Sequence, residues 1–142
     1  MRILVTGGAG FIGTNFVYRA VRAGHDVVVL DALTYAGGRD NLEPLGDKVE
    51  LIVGDIYDND VVSRAMNEVD TVVHFAAESH VTRSQMGDEG ARLAYRTNFL
   101  GTRKVYNEAE IREVKQFIHI STDEVYGSKP DGFFREEDKL PG

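Results

Sequence analysis

The adjacent carboxylic acids Asp123 and Glu124 are of the residue type that general acid and base catalysis uses. They follow an apolar run at residues 116–120, which predicts that they lie where a strand ends. When two carboxyl groups lie side by side, the charge of one raises the pKa of the other and keeps a proton on it. One member can then remove a proton from carbon while the other protonates a departing hydroxyl, and together they eliminate water. The same two residues would also suit an exposed acidic loop.

Gly7, Gly10 and Gly13 have the spacing of a loop that binds the pyrophosphate of a dinucleotide. They stand between a β-branched run at residues 2–6 and an amphipathic stretch that begins at residue 11. The first glycine allows a sharp turn after the strand, the second leaves the main chain open to the phosphates, and the third allows close packing of helix on strand. The N–H groups at the start of the helix and the positive end of its dipole attract the phosphates.

Two aspartates follow the next two apolar runs. Asp31 comes eighteen residues after Gly13, where a carboxylate accepts hydrogen bonds from the adenosine ribose and repels a 2′-phosphate. This position favours NAD over NADP. Asp55, in the triplet at residues 54–56, could reach the adenine amino group, although such a triplet is equally typical of a plain turn.

The elements that must position these residues alternate between strands and helices. We predict strands at residues 2–6, 26–30, 49–53, 71–75 and 116–120, and helices at residues 11–23, 58–69 and roughly 88–112. The nearly continuous apolar character of the strands predicts burial on both faces of a parallel sheet. Right-handed crossovers then predict a Rossmann-like, doubly wound α/β sheet with strand order 3-2-1-4-5.

The two later helices each have an apolar face. In the second helix, Asp58 or Asn59 is the predicted cap, and the face consists of Val61, Val62, Ala65, Met66 and Val69. In the long helix, the predicted face consists of Leu93, Ala94, Thr97, Leu100, Gly101 and Val105.

Composition narrows the class of protein further. The 142 residues are 42% hydrophobic and 27% charged, as expected for one soluble domain. The net charge of −7 argues against nucleic-acid and membrane-surface partners. There are no cysteines, which excludes disulfides, thiolate catalysis and cysteine-ligated metals, and we predict no metal site. Without an apolar run of membrane length or a signal-peptide core, the sequence predicts a cytoplasmic protein.

Small residues follow the fourth predicted strand. Ala76 and Ala77 would let a cofactor lie against the carboxyl edge of the sheet, where open α/β sheets bind ligands. Ser79 and His80 come next in the same crevice, and His80 is the histidine that we place near substrate. Two further histidines, His74 and His119, lie inside predicted strands, and we predict that both are hydrogen-bonded core residues.

Several segments resemble one known family. The sequence TGGAGFIG at residues 6–13 resembles the fingerprint of the extended short-chain dehydrogenase/reductases. The sequence DALTYAG at residues 31–37 resembles, more narrowly, the dTDP-glucose 4,6-dehydratase family, and STDEVYG at residues 121–127 is the most specific of the matches. Residues 54–56, 75–81 and 97–98 also resemble this family.

The resemblance implies an NAD cofactor, a nucleotide-sugar substrate and a homodimer. It places the cofactor on Gly7, Gly10, Phe11, Ile12, Gly13, Asp31, Leu33, Thr34, Gly37, Asp55, Ile56, Phe75, Ala76, Ala77, Ser79 and Thr97. It places the substrate on Ser79 and His80. In the family, NAD oxidises the sugar at C4, which acidifies C5, and after water is lost the hydride returns to C6. The matching positions here would be Thr122 bonding the C4 oxygen, Glu124 removing the C5 proton and Asp123 protonating the C6 hydroxyl.

Two departures keep alternatives open. Related 4-epimerases usually carry small or hydroxyl residues at the positions of Asp123 and Glu124, so this pair favours a dehydratase over an epimerase. The Tyr-x-x-x-Lys pair that performs oxidation in this superfamily is missing, since none of the six tyrosines is followed four residues later by lysine. A non-catalytic NAD-binding module is therefore the alternative of a different class. Thr82 is a smaller departure, because the family usually has an acid before the arginine that Arg83 matches.

The resemblance also implies that the chain, residues 1–142, corresponds to the N-terminal portion of such an enzyme. The later strands, the Tyr-x-x-x-Lys pair and the sugar-nucleotide domain would lie further on. We therefore expect the chain alone to be inactive as a dehydratase. We also expect bare apolar surface beside the fourth and fifth strands, with marginal stability or self-association as the result.

Overall fold

A five-stranded parallel sheet forms the centre of the molecule, as the sequence predicts. The computed structural model describes residues 1–79 and 87–140. The sheet has the order β3-β2-β1-β4-β5. Its strands are β1 (Arg2–Thr6), β2 (Asp26–Asp31), β3 (Val49–Val53), β4 (Thr71–His74) and β5 (Gln116–His119).

Helices connect the strands on both faces of the sheet. They are α1 (Phe11–Arg22), α2 (Asn59–Ala65), α3 (Gly87–Ala94), a π-helical segment (Tyr95–Gly101) and α4 (Thr102–Ile111). The last three form one continuous long helix, because the residues that flank the π segment have helical φ and ψ. Short 3₁₀ turns occupy Arg39–Asn41, Glu43–Lys48 and Asp123–Tyr126. Within the described ranges, no helix has both the length and the apolar character needed to cross a bilayer.

The cap of α2 is Asp58, one of the two predicted residues. Its Oδ1 accepts hydrogen bonds from the N–H groups of Asp60 and Val61, at 3.0 and 3.3 Å. The helix ends four residues before the predicted end at residue 69. The physical reason lies at Glu68, whose φ of 57° is in the left-handed region that an α-helix cannot contain.

The core has one apolar cluster on each face of the sheet. Leu4 belongs with α2 and α4 on one face, whereas Ile3 and Val5 belong with α1 on the other. Because successive side chains of a strand point to opposite faces, a strand covered on both sides must be apolar throughout. This explains the continuous apolar runs of the three central strands.

Burial on both faces is wrong for the two edge strands. In β3 only Ile52 is fully buried, and in β5 no residue is. An edge strand has a neighbour on one side only, so its side chains and unpaired backbone groups face solvent. Ile118 and Ile120 are partly exposed as a result, so bare apolar surface is present on β5 but not on β4, which is fully buried.

The apolar face of the long helix is confirmed only in its second half. Gly101 and Val105 are buried as predicted, but Leu93 is 38% exposed. The difference lies in what packs on the helix, since none of the residues of α3 is buried on any face, whereas α4 packs into the core through Val105 and Ala109. Gly101 is needed for this packing, because a Cβ there would lie 2.8 Å from the side chain of Ile56.

Candidate functional site at the carboxyl edge of the sheet

The five loops that follow the strands meet at one edge of the sheet, since all strands run in the same direction. Most of the predicted site residues are on these loops. They are Gly7, Gly10, Phe11, Ile12 and Gly13 after β1; Leu33, Thr34 and Gly37 after β2; Asp55 and Ile56 after β3; Phe75, Ala76, Ala77 and Ser79 after β4; and Thr122, Asp123 and Glu124 after β5. Asp31 is the last residue of β2, and Thr97 lies in the π segment.

The glycine turn, residues 7–13, uses its glycines for two different purposes. Gly7 has a φ of 68°, and a Cβ there would lie 2.7 Å from the backbone nitrogen of Ala76. A Cβ on Gly13 would lie 2.2 Å from the carbonyl oxygen of Gly7. These two positions must be glycine for the chain to fold this way. A Cβ on Gly10 would lie 3.3 Å from its nearest atom, the carbonyl oxygen of Gly7, so the fold by itself requires glycine less strictly at this position. A ligand that approaches the main chain here would require it more strictly.

Asp31 holds the glycine turn against the loop after β2. Its side chain is buried, and its Oδ2 accepts the N–H of Ala9 at 2.9 Å while its Oδ1 accepts the N–H of Leu33 at 2.8 Å. A carboxylate has about four lone-pair positions, so two remain for hydroxyl groups of a ligand. Gly37 leaves this carboxylate accessible, because a Cβ there would lie 2.9 Å from Oδ1.

The loop after β2 wraps around the glycine turn. Gly37 pairs with Gly10 in an isolated antiparallel bridge. The carbonyl oxygen of Ala9 accepts hydrogen bonds from the Gly38 N–H at 3.2 Å and from Nδ2 of Asn41 at 2.8 Å. The main chain of this loop is thereby fixed beside the turn. Phe11, Ile12 and Thr34 remain exposed around it.

The triplet after β3 forms a turn, and its aspartate is also held by the long helix. Oδ1 of Asp55 accepts the N–H of Tyr57 at 2.8 Å, and Oδ2 pairs with Nη2 of Arg96 at 2.8 Å. The Arg96 guanidinium lies 4.8 Å from the centre of the Tyr57 ring. The side chain of Ile56 is buried in the core, so only its main chain can meet a ligand.

The loop after β4 is tied to the loop after β2 and to the long helix. Oε1 of Glu78 accepts a hydrogen bond from the Tyr35 hydroxyl at 2.6 Å. The Glu78 N–H donates to Oδ1 of Asn98 at 2.7 Å, and Nδ2 of Asn98 donates to the Glu78 carbonyl at 3.0 Å. Ala77 and Ser79 are exposed on this loop. His80, Thr82 and Arg83 lie outside the described residues.

His74 is a buried histidine with hydrogen bonds on both ring nitrogens, as predicted. Its Nδ1 lies 2.6 Å from Oγ1 of Thr6, and its Nε2 lies 2.9 Å from Oγ1 of Thr102. Burial, together with the smaller effect of the charge of the nearby His119, lowers the pKa of His74 to about 4. The prediction of a core position is wrong for His119 itself, which is exposed because β5 is an edge strand.

The predicted catalytic residues are in the turn after β5. Thr122 and Glu124 are exposed, and Thr122 precedes the 3₁₀ turn without a side-chain capping bond. The backbone of Asp123 begins that turn, while its side chain lies outside the described part of the structure. The topology therefore brings this acidic segment to the same sheet edge as the glycine turn. Among the described residues, no group of three or more acidic or histidine side chains is arranged to hold a metal ion.

Several residues of this site were not found from the sequence. Thr6, Tyr35, Glu78 and Asn98 occur in the motifs but have no predicted role, although they link the loops. Arg96 had no signal at all, because it meets Asp55 across 41 positions of the chain. Only the packing of the long helix beside β3 brings that pair together.

The chain is similar to known proteins over almost its whole length. A profile described as the NAD dependent epimerase/dehydratase family matches residues 3–141. The dTDP-glucose 4,6-dehydratase of Mycobacterium tuberculosis is 54% identical in an alignment of 129 positions, which covers 89% of this chain and 38% of that protein. The low-salt glycan biosynthesis protein of Haloferax volcanii is 48% identical in an alignment of 143 positions, which covers 99% of this chain and 45% of that protein. The chain thus spans about two fifths of the length of these curated relatives.

Solved structures agree in fold. The dTDP-glucose 4,6-dehydratase of Streptomyces venezuelae, solved with NAD bound, has a TM-score of 0.90 and 45% identity over 99% of this chain and 45% of its own. The UDP-glucose 4-epimerase of Thermus thermophilus, in complex with NAD, has a TM-score of 0.85 and 35% identity over 96% of this chain and 43% of its own.

Proposed function

The chain belongs to the NAD dependent epimerase/dehydratase family, and we propose that it is the NAD-binding part of a nucleotide-sugar 4,6-dehydratase acting on dTDP-glucose. The observation that carries the proposal is one juxtaposition. The glycine turn and Asp31 stand at the same sheet edge as the segment that contains Asp123 and Glu124. Relatives that are 45–54% identical to this chain are dTDP-glucose 4,6-dehydratases, which supports the proposal.

The residues present suit NAD. Gly10 opens the main chain to the pyrophosphate, and the N-terminus of α1 directs N–H groups at it. Asp31 has lone pairs left for the ribose hydroxyls, and its charge disfavours the 2′-phosphate of NADP. Asp55 is an acceptor for the adenine amino group. The remaining wall consists of Leu33, Thr34, Phe75, Ala76, Ala77, Ser79 and Thr97.

The acid and base of the elimination are the adjacent carboxyl groups. NAD, when bound, would supply the hydride chemistry between C4 and C6 of the sugar. The proton of the C4 hydroxyl would pass to the tyrosine of the superfamily's Tyr-x-x-x-Lys pair, while Thr122 hydrogen-bonds the C4 oxygen. Glu124 takes the proton from C5 and returns it to C5 as hydride reaches C6, and Asp123 gives a proton to the C6 hydroxyl as it leaves as water. Ser79 and His80 contact the sugar nucleotide. The product is the 4-keto-6-deoxy sugar nucleotide.

An epimerase is the second candidate, and the similarity to the UDP-glucose 4-epimerase of Thermus thermophilus favours it. Epimerisation at C4 needs oxidation and reduction but no elimination. Glu124→Gln in the intact protein distinguishes the two, since a dehydratase loses its 4-keto-6-deoxy product while an epimerase keeps its activity. A non-catalytic NAD-binding module would show neither activity.

Cofactor choice is tested first, by calorimetric titration of the protein with NAD and with NADP. We expect binding of NAD and at least about tenfold weaker binding of NADP, because Asp31 repels the 2′-phosphate. Asp40→Asn removes an exposed carboxylate from the same loop without touching the glycine turn, so as a control it should leave the preference for NAD over NADP unchanged. Equal affinity for both cofactors would contradict the role of Asp31. No binding of either would contradict the cofactor site itself.

The elimination of water is tested with dTDP-glucose as substrate, in the whole protein of which this chain is proposed to be the NAD-binding part. We expect Asp123→Asn and Glu124→Gln each to reduce formation of the keto product by at least about a hundredfold, as loss of a general acid or base does. Glu113→Gln, an exposed position before β5, is the control. Wild-type rates in the Glu124 variant would exclude elimination through this pair.

A further inference from the structure

His74 connects three parts of the molecule that surround the cofactor edge. It is the last residue of β4 and only 1% exposed. One ring nitrogen meets Thr6, which directly precedes the glycine turn, and the other meets Thr102, the first residue of α4. The function proposed above makes no use of this histidine.

A neutral imidazole bonds both threonines at once. Oγ1 of Thr6 accepts the backbone N–H of Ala76 at 3.4 Å and also bonds Nδ1 of His74, which accepts or donates according to the ring tautomer. Nε2 takes the opposite role toward Oγ1 of Thr102. In either tautomer the imidazole connects the long helix to Ala76 through Thr6.

This chain of bonds acts at the place where the glycine turn touches the loop after β4. A Cβ on Gly7 would lie 2.7 Å from the backbone nitrogen of Ala76. The Phe75 N–H donates to the carbonyl oxygen of Thr6 at 2.9 Å, which is the last backbone bond between the two strands. Beyond it, the Thr6 hydroxyl is the group that holds Ala76 to β1, and His74 fixes the orientation of that hydroxyl.

We propose that His74 is a positioning residue for the dinucleotide, because through Thr6 it holds the glycine turn against Ala76. The proposal rests on the proposed function only in taking the dinucleotide as the ligand of the turn. Without the imidazole, the Thr6 hydroxyl rotates freely and Ala76 loses a fixed partner. The turn can then separate from the loop after β4, and the main-chain groups on which the cofactor lies lose their alignment.

The test compares three variants of the intact protein in calorimetric titrations with NAD. His74→Phe keeps most of the ring volume but removes both bonds, whereas His74→Asn keeps an acceptor near the position of Nδ1. Thr6→Val removes the hydroxyl and keeps the branched shape. We expect His74→Phe and Thr6→Val to weaken NAD binding by about tenfold, the effect of one well-placed hydrogen bond, and His74→Asn to stay within about threefold of wild type.

Val27→Ala separates positioning from general loss of stability. It truncates a buried side chain near the amino end of β2, a strand that carries none of the bonded residues, so it lowers the melting temperature while leaving NAD affinity within about twofold. All titrations are made at a temperature where circular dichroism shows each variant folded. If His74→Phe does not fold, Thr6→Val still decides the question.

The possible results have distinct meanings. Rescue by His74→Asn, with weak binding in the other two variants, supports the proposal. Wild-type affinity in folded Thr6→Val overturns it while leaving the NAD site intact. Binding by His74→Asn as weak as that of His74→Phe also overturns it. A wild-type protein that binds no NAD overturns both this proposal and the proposed cofactor site.

Discussion

Protonation of one buried residue, His74, should lower the stability of this protein at acid pH. Burial lowers the pKa of His74 from 6.5 to about 4, and the unfolded chain restores the higher value. Because the folded-state pKa is the lower one, the stabilisation is complete above about pH 6.5 and is lost as the pH falls through about 4. One pKa unit corresponds to about 1.4 kcal/mol, so this histidine removes about 3 kcal/mol from the free energy of unfolding between pH 7 and pH 4.

Urea unfolding at a series of pH values measures this loss. We expect wild type to lose about 1 kcal/mol through His74 by pH 5.5 and about 3 kcal/mol by pH 4, beyond what His74→Asn loses. The variant is less stable at pH 7 because it lacks the Thr102 bond, so the two dependences on pH are compared rather than the absolute stabilities. Carboxylates such as Asp70, whose pKa is lowered by its hydrogen bond from Lys115, titrate alike in both proteins and cancel.

His25→Gln is the matched control, since it removes a half-buried histidine before β2 and leaves the contacts of His74 in place. It should keep the wild-type loss. Parallel pH dependences for wild type and His74→Asn would refute the reasoning. They would mean that His74 is protonated in the folded state at the same pH as in the unfolded chain.

Four further predictions concern the same edge of the sheet and the helix α2. Gly13→Ala places a Cβ against the carbonyl of Gly7 and should lower the free energy of unfolding by at least about 2 kcal/mol in urea titration. Gly10→Ala should change it by less than about 1 kcal/mol and yet weaken NAD binding at least about tenfold, and unaltered binding would contradict the role of Gly10. Asp31→Ala leaves two N–H groups without their acceptor and should cost about 2–3 kcal/mol, whereas a loss below about 1 kcal/mol would show that water replaces the carboxylate. Asp58→Ala removes the cap of α2 and should cost about 1 kcal/mol in the same titration, with Asp58→Ser restoring most of it.

Much of the fold was predictable because its signals are local. The order of the strands followed from alternating apolar runs and from the handedness of crossovers. The glycine turn was predictable because the positive φ of Gly7 and the close approach of Gly13 to the Gly7 carbonyl oxygen are local, whereas the contact of Gly7 with Ala76 is not. Asp58 was predictable as a cap for the same reason, since its hydrogen bonds reach only two and three residues along the chain.

Other features had no local signal. The apolar run of β5 gives no sign of whether a layer packs on it, so the exposure of His119 was not foreseen, although bare apolar surface on this strand was. The exposure of Leu93 was also missed, because the apolar pattern of the long helix does not show where along its length the helix has a neighbour. Both features depend on what packs against an element rather than on its own residues.

By itself the sequence determined which elements form, their order in the sheet and which loops reach the site edge, because backbone sterics and hydrophobic periodicity act over a few residues. Only the tertiary structure decided which side chains meet across that edge. The bonds from Thr6 to His74 and from His74 to Thr102 span 68 and 28 positions, and the Asp55–Arg96 pair spans 41. Such partners are selected by the packing of whole strands and helices, which brings together polar groups that must be satisfied once they are buried.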